Sequence, residues 1–123
     1  MNTNYKQLIV WEKAMELVVE VYRLTEAFPK SEIFGLTSRM RRAAVSIPSN
    51  IAEGRRRGSD AEFVRFSSIA FGSGAELETQ IEIAKRIGHI GRRDADSASV
   101  LLDEIMRMLN ALLRKHRDSE GAA

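Results

Sequence analysis

The sequence predicts an all-α protein folded as an up-down-up-down antiparallel four-helix bundle. Apolar residues recur every three to four positions along almost the whole chain, a spacing typical of amphipathic helices. No stretch alternates polar and apolar residues between turn signals, as a half-buried strand would. The segments between the periodic stretches are short, and short links between long helices make antiparallel neighbours.

The apolar pattern predicts four helices, at approximately 9–28, 33–56, 60–88 and 94–116. Pro29 ends the first helix because its ring cannot continue the hydrogen-bond ladder. Gly54 and Gly58 are expected to stop the second helix. Ser59 and Glu62 have the spacing of a capping box, which predicts that the third helix begins beside them.

The length and composition predict one globular domain. The chain has 123 residues, of which 44% are hydrophobic and 29% charged. We expect residues 1–117 to form the bundle domain and residues 118–123 to be a frayed tail. The absence of cysteine excludes disulfides and thiolate metal sites. Neither a signal-peptide pattern nor an apolar run of the ~20 residues that span a bilayer occurs, so we expect a cytoplasmic protein.

Pro48 lies inside the second predicted helix. A proline there removes one backbone donor and clashes with the carbonyl of Ala44, at a cost of ~3 kcal/mol or more in a regular helix. The helix therefore either kinks at Pro48 or breaks and restarts with Pro48 in its first turn. The kink is favoured because the apolar face continues in phase from Met40 to Ile51.

Positive charge is concentrated around this second helix. Residues 39–57 carry six basic groups and one acidic group, whereas the net charge of the whole chain is only +2. Most of the basic residues are arginines, which suit bidentate contacts with phosphates or carboxylates. The concentration predicts either phosphate contacts or pairing with glutamates of a neighbouring subunit. The candidate nucleic-acid-binding residues are Arg39, Arg41, Arg42, Arg55, Arg56, Arg57, Lys85 and Arg86.

A second, partly apolar stripe runs along the second and third helices, away from the predicted core. One buried stripe is enough for a helix in an isolated bundle, so the extra stripe predicts self-association. The alternative is a wide core stripe with scattered surface apolar residues. The candidate oligomer-interface residues are Val45, Ala52, Val64, Phe71 and Ala75.

The sequence offers little for catalysis. His89 falls in a predicted turn and His116 near the chain end, and neither belongs to the Glu-x-x-His pair of di-iron bundles. Glu76, Glu78 and Glu82 suit arginine partners better than acid–base roles. The G-x-G of FGSGAE follows a helix rather than a strand, which favours helix packing over phosphate binding. We expect no enzymatic activity, no cofactor and no metal.

Three runs resemble a known family: LIVWEKAMELVVEVYRLTEAFP, FGLTSRMRRAAVSIPSNIAEG and GSGAELETQIEIAKRIG. They are similar to the four-helix-bundle family encoded in intervening sequences of bacterial large-subunit ribosomal RNA genes. That family includes the accessory variability protein of diversity-generating retroelements. The resemblance covers roughly residues 8–90, and Arg41, Arg42 and Arg55 fall in or beside the shared motif. It implies a homopentameric barrel with a basic surface. The implied partners are nucleic acid and, in the retroelement branch, a reverse transcriptase.

Together these observations predict a non-enzymatic oligomer that binds nucleic acid. Basic rings would contact the phosphates of RNA or DNA, with little sequence specificity, because no base-reading motif occurs. The resemblance connects this function to ribosomal RNA intervening sequences or to a retroelement. The alternative is an oligomeric adaptor that binds an acidic protein or a reverse transcriptase.

Overall fold

The computed structural model describes residues 3–122, with side chains as far as Ser119. Within this range the protein is all-α, with four long helices, two short 3-10 segments and no strand. The 3-10 segments span Tyr5–Gln7 and Lys30–Glu32. The helices are α1 (Ile9–Glu26), α2 (Leu36–Arg56), α3 (Asp60–Arg86) and α4 (Asp96–Ala122). None of these helices is long and apolar enough to cross a membrane.

The helix bounds differ from the predicted ones mainly at two places. The α1–α2 connection takes up residues 27–35, so α2 begins at Leu36 rather than at 33. At the other end, α4 is helical as far as Ala122, where the sequence predicted fraying from residue 118. Nothing before Gly121 in this stretch disfavours a helix strongly, and no proline interrupts it. Residues 1, 2 and 123 of the predicted domain and tail lie outside the described residues.

The core is a single apolar cluster to which all four helices contribute. α1 packs against α2 and α4, and α3 packs against α2 and α4. Burying each large aliphatic side chain contributes about 1.5–3 kcal/mol of hydrophobic stabilisation. The largest fully buried apolar residues are Leu17, Val21, Met40, Ile47, Ile51, Leu77, Leu102, Ile105 and Leu109.

The most extensive helix packing joins α2 to α3. A Cβ atom at Gly54 would lie 2.7 Å from the Cβ of Phe66 and 3.2 Å from the Cα of Phe63. Gly54 therefore permits close approach of the helices and does not end α2, contrary to the prediction. The turn itself belongs to Gly58, whose φ of 83° is in the left-handed region that favours glycine. As predicted, Ser59 caps α3 by accepting a hydrogen bond from the backbone N–H of Glu62 at 3.2 Å.

Pro48 is buried inside a continuous α2, so the alternative in which the helix breaks and restarts is wrong. Polar side chains surround the proline. Asn50 Nδ2 donates to the carbonyl of Ser46 at 2.8 Å, and the hydroxyls of Ser46 and Ser73 lie 2.8 Å apart. Ser46 thus bonds to the middle of α3, while Gly54 faces the beginning of α3. Contacts that advance along α2 recede along α3, so these two helices are antiparallel.

Two ends of the molecule can be named from the connections. At the His89 end, the α1–α2 connection (residues 27–35) meets the α3–α4 connection (residues 87–95). His89 Nε2 donates to Glu32 Oε2 at 2.8 Å, and the rings of Phe28 and His89 are 5.5 Å apart. At the Gly58 end, residues 57–59 connect α2 to α3. The arginines that the sequence predicted to bind nucleic acid lie at or near these two ends.

Candidate nucleic-acid and subunit interfaces

Arg41 belongs to the packing between α1 and α2. Its Nε donates a hydrogen bond to the hydroxyl of Thr25 at 2.8 Å, and its guanidinium lies 4.5 Å from the centroid of the Tyr22 ring. The side chain is half-buried. A cation over an aromatic face is attracted by the negative face of the ring, and the attraction grows as water is excluded. The Nε–H group of Arg41 and its stacking on Tyr22 are therefore used within the chain.

The three arginines at the Gly58 end also lie on aromatic rings. Arg55 is 5.1 Å from the centroid of Phe63, Arg56 is 5.4 Å from Tyr5, and Arg57 is 4.8 Å from Phe66. Arg57 also pairs with Glu53 at 3.2 Å. The Nε of Arg55 is buried and has no hydrogen-bond partner within the described part of the chain. Stacking on rings joins these arginines to α3 and to the segment before α1.

Two guanidinium groups lie over the ring of Phe66. Besides Arg57, the guanidinium of Arg65 lies 4.4 Å from the Phe66 centroid, and Arg65 pairs with Glu62 at 2.9 Å. Only 7% of Phe66 is exposed, because its side chain packs against Gly54 and the two arginines lie over its ring. The long side chains of arginine shield apolar surface while their charged ends stay in water. The arginines at the Gly58 end therefore contribute to packing as well as to charge.

The cations at the His89 end have a different environment. Arg86 pairs with Glu82 at 3.1 Å. Apart from Arg41 and Arg86, six basic residues of this end form no ion pair with any side chain that the structure describes. No hydrogen bond or aromatic ring holds them either, although Arg39 acts electrostatically on the Glu32 carboxylate. These six residues are Lys30, Arg39, Arg42, Lys85, Arg92 and Arg93, and all but Lys85 are exposed.

A hydrogen-bonded contact holds the two connections of the His89 end together. The bond from His89, together with the backbone N–H of Leu36, lowers the pKa of Glu32 below its ordinary value of 4.5. Both bonds favour the ionised carboxylate, which outweighs partial burial of the group. The side chain of His89 is only 20% exposed, and it is paired with Glu32.

A shallow groove of about 500 Å³ lies along α1, α2 and the connection between them. Arg41 and Arg42 supply its charge, and Tyr22, Ile33 and Val45 supply apolar surface. Phe34, next to the groove residue Ile33 in the chain, is 93% exposed. Exposed apolar surface of this kind in a monomer usually has a partner.

The predicted interface residues differ in their exposure. Val45 and Ala75 are exposed, whereas Ala52 and Val64 are half-buried. Phe71 is also half-buried and packs partly against the core of its own chain. Phe71 is thus shared between the core and the surface. Gly72, beside it, faces open space, and a Cβ there would meet nothing within 4 Å.

The groups considered for catalysis do not converge. Among the residues with described side chains, no three histidines or carboxylates come close enough to hold a metal ion. Glu82 pairs with Arg86, as suggested for this glutamate group, and Glu76 accepts a hydrogen bond from Gln80 at 3.1 Å. Gly74 permits close packing of α3 on Met106 and Leu102 of α4. His116 lies near the Gly58 end, by Arg55 and Lys115.

Sequence reasoning missed the aromatic partners of the arginines and the contact between His89 and Glu32. The partners are distant in sequence: Arg41 lies on Tyr22 and Arg56 on Tyr5. Antiparallel pairing of the first two helices would bring Tyr22 near Arg41. The contact between these two residues was therefore detectable from the sequence. The exposed Ile33 and Phe34 were hidden because the second helix was predicted to include them.

The fold and surface define this protein as an all-α helical bundle with an arginine-rich exterior. A family model described as 23S rRNA-intervening sequence protein matches residues 6–111. The chain belongs to this 23S rRNA-intervening sequence protein family, which confirms the resemblance found in the sequence.

The fold is also similar to that of a solved protein from Bacteroides thetaiotaomicron. That protein is described as having unknown function and as belonging to the S23 ribosomal protein family. The two structures superpose with a TM-score of 0.76 at 25% sequence identity, covering 85% of this chain and 98% of the other. No curated protein matches the chain.

Proposed function

We propose that this protein is a non-enzymatic homo-oligomer that binds nucleic acid through phosphate contacts at the His89 end, with little sequence preference. The family description associates such proteins with intervening sequences of 23S rRNA, so RNA is the first nucleic acid to test. Phosphate contacts position a nucleic acid without reading its bases.

One observation carries this proposal: six basic residues of the His89 end have no ion-pair partner within the described part of the chain. A cation that is already stacked or paired loses that interaction when it turns to a phosphate, whereas a solvated cation releases only water and counterions. Counterion release dominates non-specific binding to nucleic acid. The Gly58 end, whose central arginines are engaged, is therefore the weaker candidate.

Self-association would multiply the number of unpaired cations that one nucleic acid can contact. The proposed assembly is a ring of up-down-up-down bundles, and the number five comes from the family resemblance alone. Exposed apolar residues such as Val19, Ile33 and Phe34 support association, because a monomer rarely leaves so much apolar surface in water. A ring repeats the cations of the His89 end around one axis, so each added subunit strengthens the local positive potential.

A salt titration with matched variants tests the proposal. Arg92→Ala with Arg93→Ala removes two exposed cations from the His89 end. The control, Arg114→Ala with Lys115→Ala, removes two exposed cations near the Gly58 end. We expect the first variant to bind RNA and DNA more weakly at every sequence. Its plot of log affinity against log salt should be flatter by about 0.9 for each lost duplex phosphate contact. The control should resemble the wild type in both measurements.

Filter binding from about 50 to 200 mM salt, with light scattering to monitor subunit number, provides both measurements. No binding of wild type at the lowest salt would refute the nucleic-acid function. An equal loss in both double variants would refute the assignment to the His89 end. Capture of a defined protein from a nuclease-treated lysate, without nucleic-acid affinity, would instead support the adaptor alternative.

A further inference from the structure

Two surface stripes, one on α2 and one on α3, alternate steps of three and four residues. Such spacing keeps a stripe on one side of an α-helix. The α2 stripe consists of Ser38, Arg42, Val45, Ser49 and Ala52. The α3 stripe consists of Phe71, Ala75, Glu78 and Glu82. Arg42, Val45, Ala75 and both glutamates are exposed.

The two stripes lie at matching heights along the bundle. Ser46 contacts Ser73, and Gly54 lies against Phe66, so moving back along α2 corresponds to moving forward along α3. Four residues before Ser46, Arg42 is therefore level with residues 77–78. By the same relation Val45 is level with residues 74–75, and Ser49 with residues 70–71. At equal heights, a cation on one stripe corresponds to an anion on the other, and an apolar residue to an apolar residue.

We propose that the α2 stripe of one copy docks on the α3 stripe of the next copy, with Arg42 facing Glu78 and Val45 facing Ala75. The inference rests on the self-association proposed above and specifies its surfaces. It assigns Arg42 to the subunit contact and leaves the other five unpaired cations of the His89 end for phosphates. The two stripes belong to different helices, so the contact is head-to-tail, and repeating it about an axis parallel to the bundle generates a ring. Rotation about such an axis preserves height, which keeps the stripes in register.

The charges left unpaired within one chain favour a second copy as the binding partner of each stripe. Arg42 and Glu78 form no ion pair with any described side chain, whereas Glu82 is already bound by Arg86. Arg42 also lines the groove of about 500 Å³ with Tyr22, Ile33 and Val45, which surrounds the charge with apolar surface. The α3 surface around Glu78 likewise includes the exposed Ile83. Each stripe thus combines one unpaired charge with apolar neighbours, and the two unpaired charges have opposite signs.

Charge reversal in two positions tests this contact. Arg42→Glu and Glu78→Arg should each weaken self-association about tenfold or more, because like charges then face each other. The double variant should associate like wild type. An equimolar mixture of the two single variants should also associate more strongly than either alone. Where the two variants alternate, the introduced glutamate faces the introduced arginine in one contact, and Arg42 faces Glu78 in the next. A ring with an odd number of copies keeps one mismatched contact, so the mixture should recover in part. Sedimentation velocity over a concentration series measures each case.

The controls are Arg92→Glu and Asp103→Arg, which reverse exposed charges outside both stripes and should leave association unchanged. A monomeric wild type would refute the self-association itself. An associating wild type that is insensitive to Glu78→Arg would refute only the stripe contact. Recovery in the double variant without recovery in the mixture would show that the two side chains interact within one chain, which also overturns the proposal.

Discussion

The two ends of this bundle carry similar numbers of arginines in different surroundings. At the Gly58 end, Arg55, Arg56 and Arg57 lie 4.8–5.4 Å from the centroids of aromatic rings. At the His89 end, Arg39, Arg92 and Arg93 project into solvent without a ring or an ion pair among the described side chains. The same residue type thus covers apolar surface in one place and remains available to a ligand in the other.

This difference shows why charge counted along a sequence is a weak guide to a binding surface. Three consecutive arginines after Gly54 form the densest basic run, yet each of them lies over an aromatic ring of the same chain. Stacking costs little because guanidinium is weakly hydrated and planar. Lys30, Arg92 and Arg93, in the connecting segments, make no contact with an aromatic ring or a carboxylate among the described side chains.

The largest expected effect concerns packing at the Gly58 end. Gly54→Ala should destabilise the protein by about 1–3 kcal/mol, because its new methyl group overlaps the backbone and Cβ of α3, which cannot rotate away. Chemical denaturation monitored by circular dichroism measures the loss. Gly72→Ala is the matched control: its Cβ meets open space, and replacing a helical glycine should stabilise α3 by about 0.5–1 kcal/mol. Equal destabilisation by both variants would contradict the close approach at Gly54.

A smaller effect is expected from removing single arginines, which should change stability at one end and nucleic-acid binding at the other. Removing the cations over Phe66, with Arg57→Ala or Arg65→Ala, should reduce stability by up to about 1 kcal/mol each, as exposed cation–π contacts do. Arg93→Ala at the His89 end should leave the denaturation midpoint unchanged while it weakens nucleic-acid binding. The comparison between the ends fails if Arg93→Ala destabilises the protein as much as Arg57→Ala does.

The smallest effect is the pH dependence of the contact between His89 and Glu32. The pKa of Glu32 is lower in the folded protein than its ordinary value of 4.5. Its contribution to stability is therefore fully present above pH 4.5 and is lost as the pH falls through the folded pKa. Glu32→Gln should remove this part of the acid-induced loss of stability. Thermal melts of wild type and variant between about pH 3 and 6 should converge at the acid end; parallel curves would contradict the assignment.

The sequence predicted the four helices because each apolar stripe is a local, periodic property. The family followed from motif similarity in the first three helices. The side-chain contacts could not be predicted in the same way. His89 and Glu32 are 57 positions apart and meet only because two connections come together. Gly54 was mistaken for a helix stop, since sequence alone does not distinguish a capping glycine from one that faces another helix. The candidate interface depends on relative heights of α2 and α3, which only their packing reveals.

The three-residue connection around Gly58 has a consequence for how the chain folds. α2 and α3 follow each other directly, so their contacts close only a short loop and cost little chain entropy. α1 and α4 meet through residues such as Lys13 and Glu104, whose pairing requires most of the chain to be in place. Folding rates rise when early contacts are local. We therefore expect the α2–α3 hairpin, in which Gly54 packs against Phe66, to form early in folding and the two outer helices to pack on it later.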